Sequence, residues 1–191
     1  QFADEIMAHM NAVEDLFAIK SFNREQLLAS GLCMEILEKL DDAYNMALKS
    51  LVTAGEKDVQ LVYTPLHGAG IEPTKRVLVE AGFTNVYVVA EQAIQSGEFP
   101  TVVYPNPEEA DAFKLAIELG HQVGAELLLA TDPDADRLGV AVYNGKNYQL
   151  LTGNQLGALL LHYILQRKQQ TGALPGNAAM LKTIVTSDFG T

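Results

Sequence analysis

The sequence predicts an α/β fold, a three-layer α/β/α sandwich with a mostly parallel sheet and an antiparallel hairpin at one edge. Short apolar runs alternate along the chain with amphipathic helical patterns, an order that builds parallel strands joined by right-handed crossovers. Two further apolar runs flank Asn144-Gly145, a dipeptide typical of tight β-hairpin turns. The 191 residues leave room for one such core plus additional elements.

The N-terminal part of the chain has helical patterns. Residues 3–17 predict an amphipathic helix, because apolar side chains recur there at helical spacing: Ile6, Met7, Met10 and Val13. Asn23 with Gln26 three residues later is the pattern of a capping box, so a short second helix is expected before Gly31. Residues 34–51 give the clearest helix, with one apolar stripe made of Ile36, Leu37, Leu40, Tyr44, Ala47, Leu48 and Leu51.

The rest of the chain alternates between strands and helices. Strands are predicted at 59–63, 86–89, 127–131, 138–143, 148–151 and 180–185. Helices are predicted from Pro73 to about Ala81, from Pro107 to Leu119 and from Gln155 to about Gln169. Gly82 and Gly120 are expected to end the first two helices, since glycine readily adopts the conformation of a C-cap. Because ligands bind where parallel strands end, the loops 64–70 and 131–137 are expected to face one cleft.

An acidic loop follows the predicted strand 127–131. Asp132, Asp134 and Asp136 occupy alternate positions, and Arg137 comes directly after them. Three carboxylates this close repel one another unless a cation lies among them. In an extended segment their side chains would share one face, as three ligands of a single ion require. Hard oxygen ligands suit Mg²⁺, and a neighbouring guanidinium suits a phosphate, so the loop predicts a Mg²⁺ site for phosphoryl transfer.

Two other interpretations of the acidic loop are a calcium-binding helix–loop–helix hand and a solvated surface turn. A calcium hand needs Gly at its sixth position and Glu at its twelfth, where this loop has Arg137 and Tyr143. Pro133 and the flanking apolar strands also disfavour helices on either side, so the calcium hand is rejected. A solvated turn remains an alternative, although the buried strand before the acids and the arginine after them disfavour it.

The composition argues against other classes of partner. A net charge of −11 disfavours nucleic acid, whose phosphate backbone requires a basic surface. No window approaches eighteen uninterrupted apolar residues, so no membrane span is expected. The single cysteine, Cys33, allows no intrachain disulfide and suits a reducing compartment, so a cytoplasmic location is expected.

Several segments resemble one enzyme family in the same order along the chain. TDPDADRLGVAV, residues 131–142, is similar to the metal-binding loop of the alpha-D-phosphohexomutases, which include phosphoglucomutases, phosphomannomutases and a phosphopentomutase-like branch. The resemblance extends roughly from Glu35 to the C-terminus, and Pro133 with FPTVVYPNPEE looks most like the phosphoglucomutase/phosphopentomutase branch. The other segments that fit the family are 63–70, 97–109, 152–160 and 183–187.

The resemblance also implies that parts of the family's machinery lie outside this chain. Family members use a phosphorylated serine in a T-A-S-H-N-P-type loop, and none of the five serines here is followed by His-Asn. The sugar-reading segment of the third domain and the phosphate clamp of the fourth are not found either. The resemblance therefore implies a fragment, with no catalytic residue and no activity of its own. Its expected parts are a helical lead-in from the preceding domain (1–33), the second domain (34–151) and the incomplete start of the third (152–191).

The function implied by the resemblance is that of a Mg²⁺-dependent mutase, which moves a phosphoryl group between the 1- and 6- (or 5-) positions of a sugar phosphate. A phosphoserine of the absent domain exchanges the group through a sugar bisphosphate, which is also the activator. Asp132, Asp134 and Asp136 would hold one Mg²⁺ against the phosphoserine, and Arg137 would stabilise the phosphate. The implied partners are a sugar phosphate, glucose phosphate first, and the other domains of the same polypeptide.

Three further residues belong to the substrate site in this interpretation. His67 is expected either to contact a substrate phosphate or to be a hydrogen-bonded structural residue. Thr186 and Ser187 are expected to line the sugar site of the whole enzyme. The face that carries both loops is expected to be wholly exposed, with Arg137 directed towards the substrate, and the proline-rich segment 97–106 to be mobile.

Two functions of other classes remain open. A metal-dependent sugar-phosphate phosphatase could use a similar loop, but it would need a nucleophile near the acids. Neither the serines nor Cys33 is placed for that role by sequence. A non-catalytic binding module could use the loop only as a metal-stabilised corner. Assay of sugar-phosphate interconversion would separate these functions.

Overall fold

A sheet of five strands, in the order β2-β1-β3-β4-β5, forms the centre of the computed structural model, which describes residues 2–53 and 55–188. β1 pairs in parallel with β2 and with β3, whereas β4 pairs antiparallel with β3 and with β5. This mixed sheet, with a parallel core and an antiparallel edge, confirms the predicted α/β fold class. The strands are β1 (Leu61–Thr64), β2 (Val86–Val88), β3 (Leu127–Thr131), β4 (Leu138–Tyr143) and β5 (Tyr148–Leu151).

The chain divides into two compact units, residues 1–43 and 44–191. The helices in the described part of the chain are α1 (Phe2–Asn11), α2 (Arg24–Ser30), α3 (Leu37–Lys49), α4 (Ile71–Glu80), α5 (Ala90–Ala93), α6 (Lys114–Val123) and α7 (Gly153–Gln170). Short 3-10 segments lie at Leu16–Ala18 and Ala110–Phe113. In the first unit, neither α1 nor α2 has a buried residue. None of the helices among the described residues has the length and apolar character to cross a membrane.

Two helices begin at capping boxes. Asn23 and Gln26 form the predicted box at the start of α2, and Gly31 ends that helix with a positive φ of 73°. Thr152 caps α7 in the same reciprocal way, so α7 begins two residues before the predicted Gln155. The side-chain oxygen of each cap satisfies a backbone N–H that the helix itself leaves without a partner.

The helix before β3 differs from its prediction at both ends. The residues after Pro107 form turns and the 3-10 segment, and α6 begins only at Lys114. Gly120 lies within the helix and does not end it, and it packs so closely that a Cβ there would lie 2.6 Å from the Tyr148 hydroxyl. Gly124, with a φ of 68°, is the residue that ends α6.

Of two other predicted elements, one is wrong and the other is shorter than predicted. The segment 180–185 forms irregular chain and a turn instead of a strand, and Leu181 and Ile184 are almost fully exposed. A strand needs a neighbour for its backbone N–H and C=O groups, and none of the five described strands pairs with this segment. The helix predicted at 3–17 ends at Asn11, and the Asp15 side chain caps a separate 3-10 segment that follows.

The core lies between the sheet and the segments packed on it. All four residues of β1 are buried, and the central position of β1 and β3 places the loops at their carboxyl ends side by side. Burial of apolar surface at this centre fixes the strands from which those loops leave. The main buried cluster contains Val62, Leu66, Val89, Ala112, Phe113, Ala116, Ala125, Leu128, Ala130 and Ala141.

Candidate metal centre

Two loops leave the carboxyl ends of the neighbouring parallel strands β1 and β3 and contact each other. The backbone N–H of Ala69 donates to the carbonyl of Pro133 at 2.8 Å. Gly68 packs on the same proline so closely that a Cβ on Gly68 would lie 2.4 Å from the Pro133 Cα. The expected meeting of the loops 64–70 and 131–137 at one edge of the sheet is therefore confirmed.

The three acids converge through a turn. The backbone N–H of Ala135 donates to the carbonyl of Asp132 at 3.0 Å, and Ala135 has a left-handed φ of 60°. The extended segment predicted here is wrong, because this hydrogen bond folds the chain back. One carboxylate oxygen each from Asp132, Asp134 and Asp136 lies within 4.8 Å of the others. Oxygens about 3–4 Å apart surround a Mg²⁺ ion with ~2.1 Å bonds, so small side-chain rotations would close the site.

The three carboxylates differ in exposure, and one of them is paired with Arg137. Asp134 and Asp136 are exposed, whereas Asp132 is buried, with 1% of its surface accessible. Arg137 donates to both oxygens of Asp132, from its backbone N–H to Oδ1 at 2.9 Å and from Nε to Oδ2 at 2.7 Å. The expectation of a wholly exposed face is wrong at Asp132, since burial of a carboxylate requires hydrogen bonds and a counter-charge.

The charges in the loop are unequally compensated. Burial opposes the ionisation of Asp132, but the hydrogen bonds from Arg137 outweigh burial and lower the pKa of this carboxyl. The negative charges of Asp134 and Asp132 raise the pKa of Asp136 above its ordinary value. Arg137 thus lies closest to Asp132, with its Nε 2.7 Å from Oδ2 of Asp132 and 3.6 Å from Oδ1 of Asp136. This donor set of hard oxygens fits Mg²⁺ or another hard divalent cation.

His67 is held within the protein through both ring nitrogens. The residue is buried, and its backbone has a left-handed φ of 65°. Nδ1 lies 2.8 Å from the carbonyl oxygen of Ile94, and Nε2 lies 2.9 Å from Oγ1 of Thr101. Since a carbonyl can only accept, Nδ1 donates to Ile94, and Nε2 shares its hydrogen bond with the Thr101 hydroxyl. This arrangement fits the structural interpretation of His67 and leaves neither nitrogen for a phosphate.

Several residues that hold these loops have no sequence signal of their own. Gln92 is buried, accepts a hydrogen bond from a threonine hydroxyl of β1 at 2.6 Å and donates to Thr101 at 3.1 Å. Asn106 accepts from Nη1 of Arg137 at 3.3 Å. The segment 97–106, expected to be mobile, is thus anchored at two points. Its length and its prolines are the only features that could have drawn attention to it.

Thr186 and Ser187 line a different cleft, of about 420 Å³, beside the first turns of α7. The Ser187 backbone N–H donates to Oδ1 of Asn154 at 2.9 Å. The depression next to the acidic loop is lined instead by residues of the two loops and of the segment 95–99, including His67 and Pro133. The structure therefore brings the acids and Arg137 together, places His67 beside them and leaves Thr186 and Ser187 in their own cleft.

Comparisons with known proteins give relatives named phosphomannomutase and phosphoglucomutase. The probable phosphomannomutase of Haemophilus influenzae is 39% identical over 148 residues, which cover 77% of this chain and 30% of that protein. The phosphoglucomutase of Staphylococcus saprophyticus is 30% identical over 189 residues, which cover 98% of this chain and 34% of that protein. The phosphoglucomutase of Staphylococcus aureus strain USA300 is 39% identical over 135 residues, which cover 70% of this chain and 24% of that protein. The chain therefore spans a quarter to a third of the length of these relatives.

One solved structure and one family model also match this chain. The phosphoglucomutase/phosphomannomutase family protein of Burkholderia thailandensis has the same fold, with a TM-score of 0.57 at 22% identity over 68% of this chain and 26% of that one. The model of the phosphoglucomutase/phosphomannomutase α/β/α domain II matches residues 40–145, more than half of the chain. On this match, the chain belongs to the phosphoglucomutase/phosphomannomutase family.

Proposed function

We propose that this chain contributes the metal-binding domain of a Mg²⁺-dependent phosphosugar mutase. The observation that carries the proposal is the convergence of three carboxylates, within 4.8 Å, at the carboxyl end of a parallel strand. Residues 34–151 are the second domain, which includes the matched range 40–145. Residues 1–33 lead in from a preceding domain, and residues 152–191 begin the third. The activity belongs to a longer polypeptide, because the phosphoserine comes from outside this chain.

The residues of the acidic loop divide the work between holding an ion and binding a phosphate. Asp132, Asp134 and Asp136 each offer one carboxylate oxygen to the ion, and Arg137 keeps the buried Asp132 ionised and fixed. When bound, Mg²⁺ would neutralise the negative charge that develops on a phosphoryl oxygen. Arg137 is half exposed and adds guanidinium N–H groups that match phosphate oxygens.

The reaction is an exchange of phosphoryl groups between a serine and a sugar phosphate. A phosphoserine donates its phosphoryl group to a hydroxyl of the substrate, which forms a sugar bisphosphate, and the other phosphoryl group then returns to the serine. Glucose phosphate is the first substrate to test, since two of the three relatives described above are named phosphoglucomutase. Thr186 and Ser187 contact the sugar in this proposal, whereas His67 supports the loop behind the acids. The enzyme works in the cytoplasm.

A sugar-phosphate phosphatase is less well supported than a mutase. A phosphatase with a hydroxyl nucleophile would need that hydroxyl beside the acids, and Thr131 is the hydroxyl-bearing residue next to Asp132. Thr131 is buried, and its Oγ1 shares a hydrogen bond of 2.8 Å with the hydroxyl of Tyr63. This contact occupies the hydroxyl in the core and keeps it from an attacking role. A non-catalytic binding module would bind the ion without any turnover.

The proposal is tested with the complete polypeptide and glucose 1-phosphate. We expect conversion to glucose 6-phosphate, loss of activity after removal of metal with EDTA and recovery on addition of Mg²⁺. Release of inorganic phosphate without isomerisation would support a phosphatase instead. Absence of turnover, together with a rise in melting temperature on addition of Mg²⁺, would support the binding module. Either of the last two results would overturn the proposed function.

A further inference from the structure

Arg137 is held by partners from two different loops. Asp132 accepts from its backbone N–H and from Nε, and Asn106 accepts from Nη1 at 3.3 Å. Within residues 2–53 and 55–188, the guanidinium makes no other hydrogen bond, and Oδ1 of Asp136 lies 3.6 Å from Nε. The side chain is 54% exposed. Since a guanidinium has five N–H donors, several remain available to a ligand.

Asn106 is itself fixed in place. Its Oδ1 also accepts from the backbone N–H of Glu108 at 3.1 Å, so one oxygen joins the guanidinium to the chain that follows. The next residue, Pro107, is buried against Gly139, where a Cβ would lie 2.1 Å from the Pro107 carbonyl oxygen. Gly139 follows Arg137 by two residues. This close approach of two backbones therefore ties the Asn106 segment to the strand that begins beside Arg137.

We propose that Asn106 is a positioning residue, which fixes the plane of the Arg137 guanidinium so that its remaining N–H groups face the transferred phosphate. The guanidinium is planar and rigid, so contacts at Nε and Nη1 together define its orientation. With the contact to Asp132 alone, the group could pivot about that single hydrogen bond. The proposal rests on the proposed function, because it requires a phosphate beside Arg137.

The first experiment follows the Nε–H proton of Arg137 in this chain by NMR. The chain has four arginines, and the signal is assigned by its loss in Arg137→Lys. In Asn106→Ala the guanidinium can pivot, so the hydrogen bond from Nε to Asp132 should open more often, and we expect exchange of the Nε–H proton with water to become about fivefold faster. Asn106→Asp retains an acceptor oxygen and is expected to retain slow exchange.

A matched control comes from the other end of the sheet. The side chain of Asn85, before β2, donates to the carbonyl of Asp58 at 2.8 Å. Asn85→Ala therefore removes an asparagine hydrogen bond far along the strands from the acidic loop, and the exchange of the Arg137 proton should not change. If Asn106→Ala also leaves the exchange unchanged while the chain stays folded, the proposed positioning is overturned.

The second experiment measures turnover of glucose 1-phosphate by the complete polypeptide. In Asn106→Ala we expect kcat to fall about tenfold at saturating substrate, since misorientation of a charged group weakens transition-state binding. The half-saturating Mg²⁺ concentration should stay within about twofold, because the carboxylates are untouched. An unchanged kcat with faster proton exchange would overturn the role in the reaction. A parent protein without mutase activity would overturn the proposed function, and proton exchange alone would then decide whether Asn106 orients Arg137.

Discussion

Asp132 and Arg137 form an ion pair whose two members differ widely in exposure. The carboxylate accepts hydrogen bonds of 2.9 and 2.7 Å and is 1% exposed, whereas the arginine side chain is 54% exposed. Removal of the arginine side chain would leave a charge in a desolvated position. Removal of the carboxylate charge would leave a cation that water can reach. The two members of the pair therefore contribute unequally to stability.

Arg137→Met should destabilise the chain more than Asp132→Asn. The methionine keeps much of the apolar stem but leaves the buried carboxylate of Asp132 without its guanidinium. Asparagine keeps an acceptor for the backbone N–H of Arg137 and removes the buried charge. The measurement is urea unfolding at pH 7 in EDTA. Equal losses, or a larger loss in Asp132→Asn, would contradict the inequality.

Asp136 should lower the stability of the metal-free chain at neutral pH. The charges of Asp134 and Asp132 raise its pKa in the folded chain, so the folded state holds the Asp136 proton more tightly than the unfolded state does. The resulting cost exists above this raised pKa and disappears as the pH falls through it. Asp136→Asn should therefore be more stable than the parent at pH 7 in EDTA.

The difference in stability between Asp136→Asn and the parent should shrink from neutral to acidic pH, as the Asp136 carboxyl becomes protonated. The lowered pKa of Asp132 has the opposite effect on stability. The ionised Asp132 carboxylate stabilises the folded chain above the pKa of the unfolded state, and this stabilisation is lost as the pH falls through the lowered pKa. Thermal unfolding of both proteins across this pH range gives the comparison. A difference that is constant with pH would exclude repulsion within the loop as its cause.

Gly68 and Gly157 offer a matched pair of glycine-to-alanine substitutions. A Cβ at Gly68 would lie 2.4–2.7 Å from backbone atoms of Pro133, whereas Gly157 in α7 has no atom within 4 Å of a built Cβ. Gly68→Ala should cost about 2–3 kcal/mol, since two backbones must separate. Gly157→Ala should stabilise the chain by about 0.5–1 kcal/mol through helix propensity.

The same two variants should also differ in their affinity for Mg²⁺. Displacement of Pro133 in Gly68→Ala moves the chain between Asp132 and Asp134, so its affinity for Mg²⁺ should fall, while that of Gly157→Ala should stay at the parent value. Calorimetric titration with Mg²⁺ measures both. Parent-like stability and affinity in Gly68→Ala would mean that the two loops do not need their close contact.

Local patterns predicted the elements whose signals lie within a few residues. The capping box of Asn23 and Gln26 and the run 127–131 are of this kind, and both appear as predicted. Gly120 and Gly124 show where prediction from local patterns fails. Either glycine could end α6 by local pattern, but Gly124 ends it and Gly120 packs against Tyr148, which lies on a strand 28 residues farther along the chain. The segment 180–185 likewise has strand composition, but strand formation depends on a neighbour.

In the candidate site, too, some features could be predicted from the sequence and others could not. The spacing of Asp132, Asp134 and Asp136 indicated a shared ion, because acids in one short loop must lie close together. The sequence did not indicate the turn, which depends on a left-handed Ala135, a conformation that alanine seldom adopts. It also did not indicate Asn106, which is 31 residues before Arg137 in sequence and reaches it only through the packing of the fold.

Asp134 provides the most direct test of the ligand set. Its carboxylate is exposed and belongs to the group of three within 4.8 Å, so its loss should remove a ligand with little effect on the core. In the complete polypeptide, Asp134→Ala should lower turnover by about a hundredfold or more, since charge neutralisation at the phosphoryl group is weakened. In this chain, the rise in melting temperature on addition of Mg²⁺ should be lost.

The control for Asp134→Ala is Glu118→Ala, which removes an exposed carboxylate from α6 and leaves the acidic loop intact. Both variants lower the net negative charge by the same amount, so any general effect of charge on Mg²⁺ binding should be equal in the two. Only Asp134→Ala should show the losses of turnover and of metal stabilisation. Parent-like turnover of Asp134→Ala at limiting Mg²⁺ would remove Asp134 from the ligand set, because two carboxylates would then hold the ion as well as three.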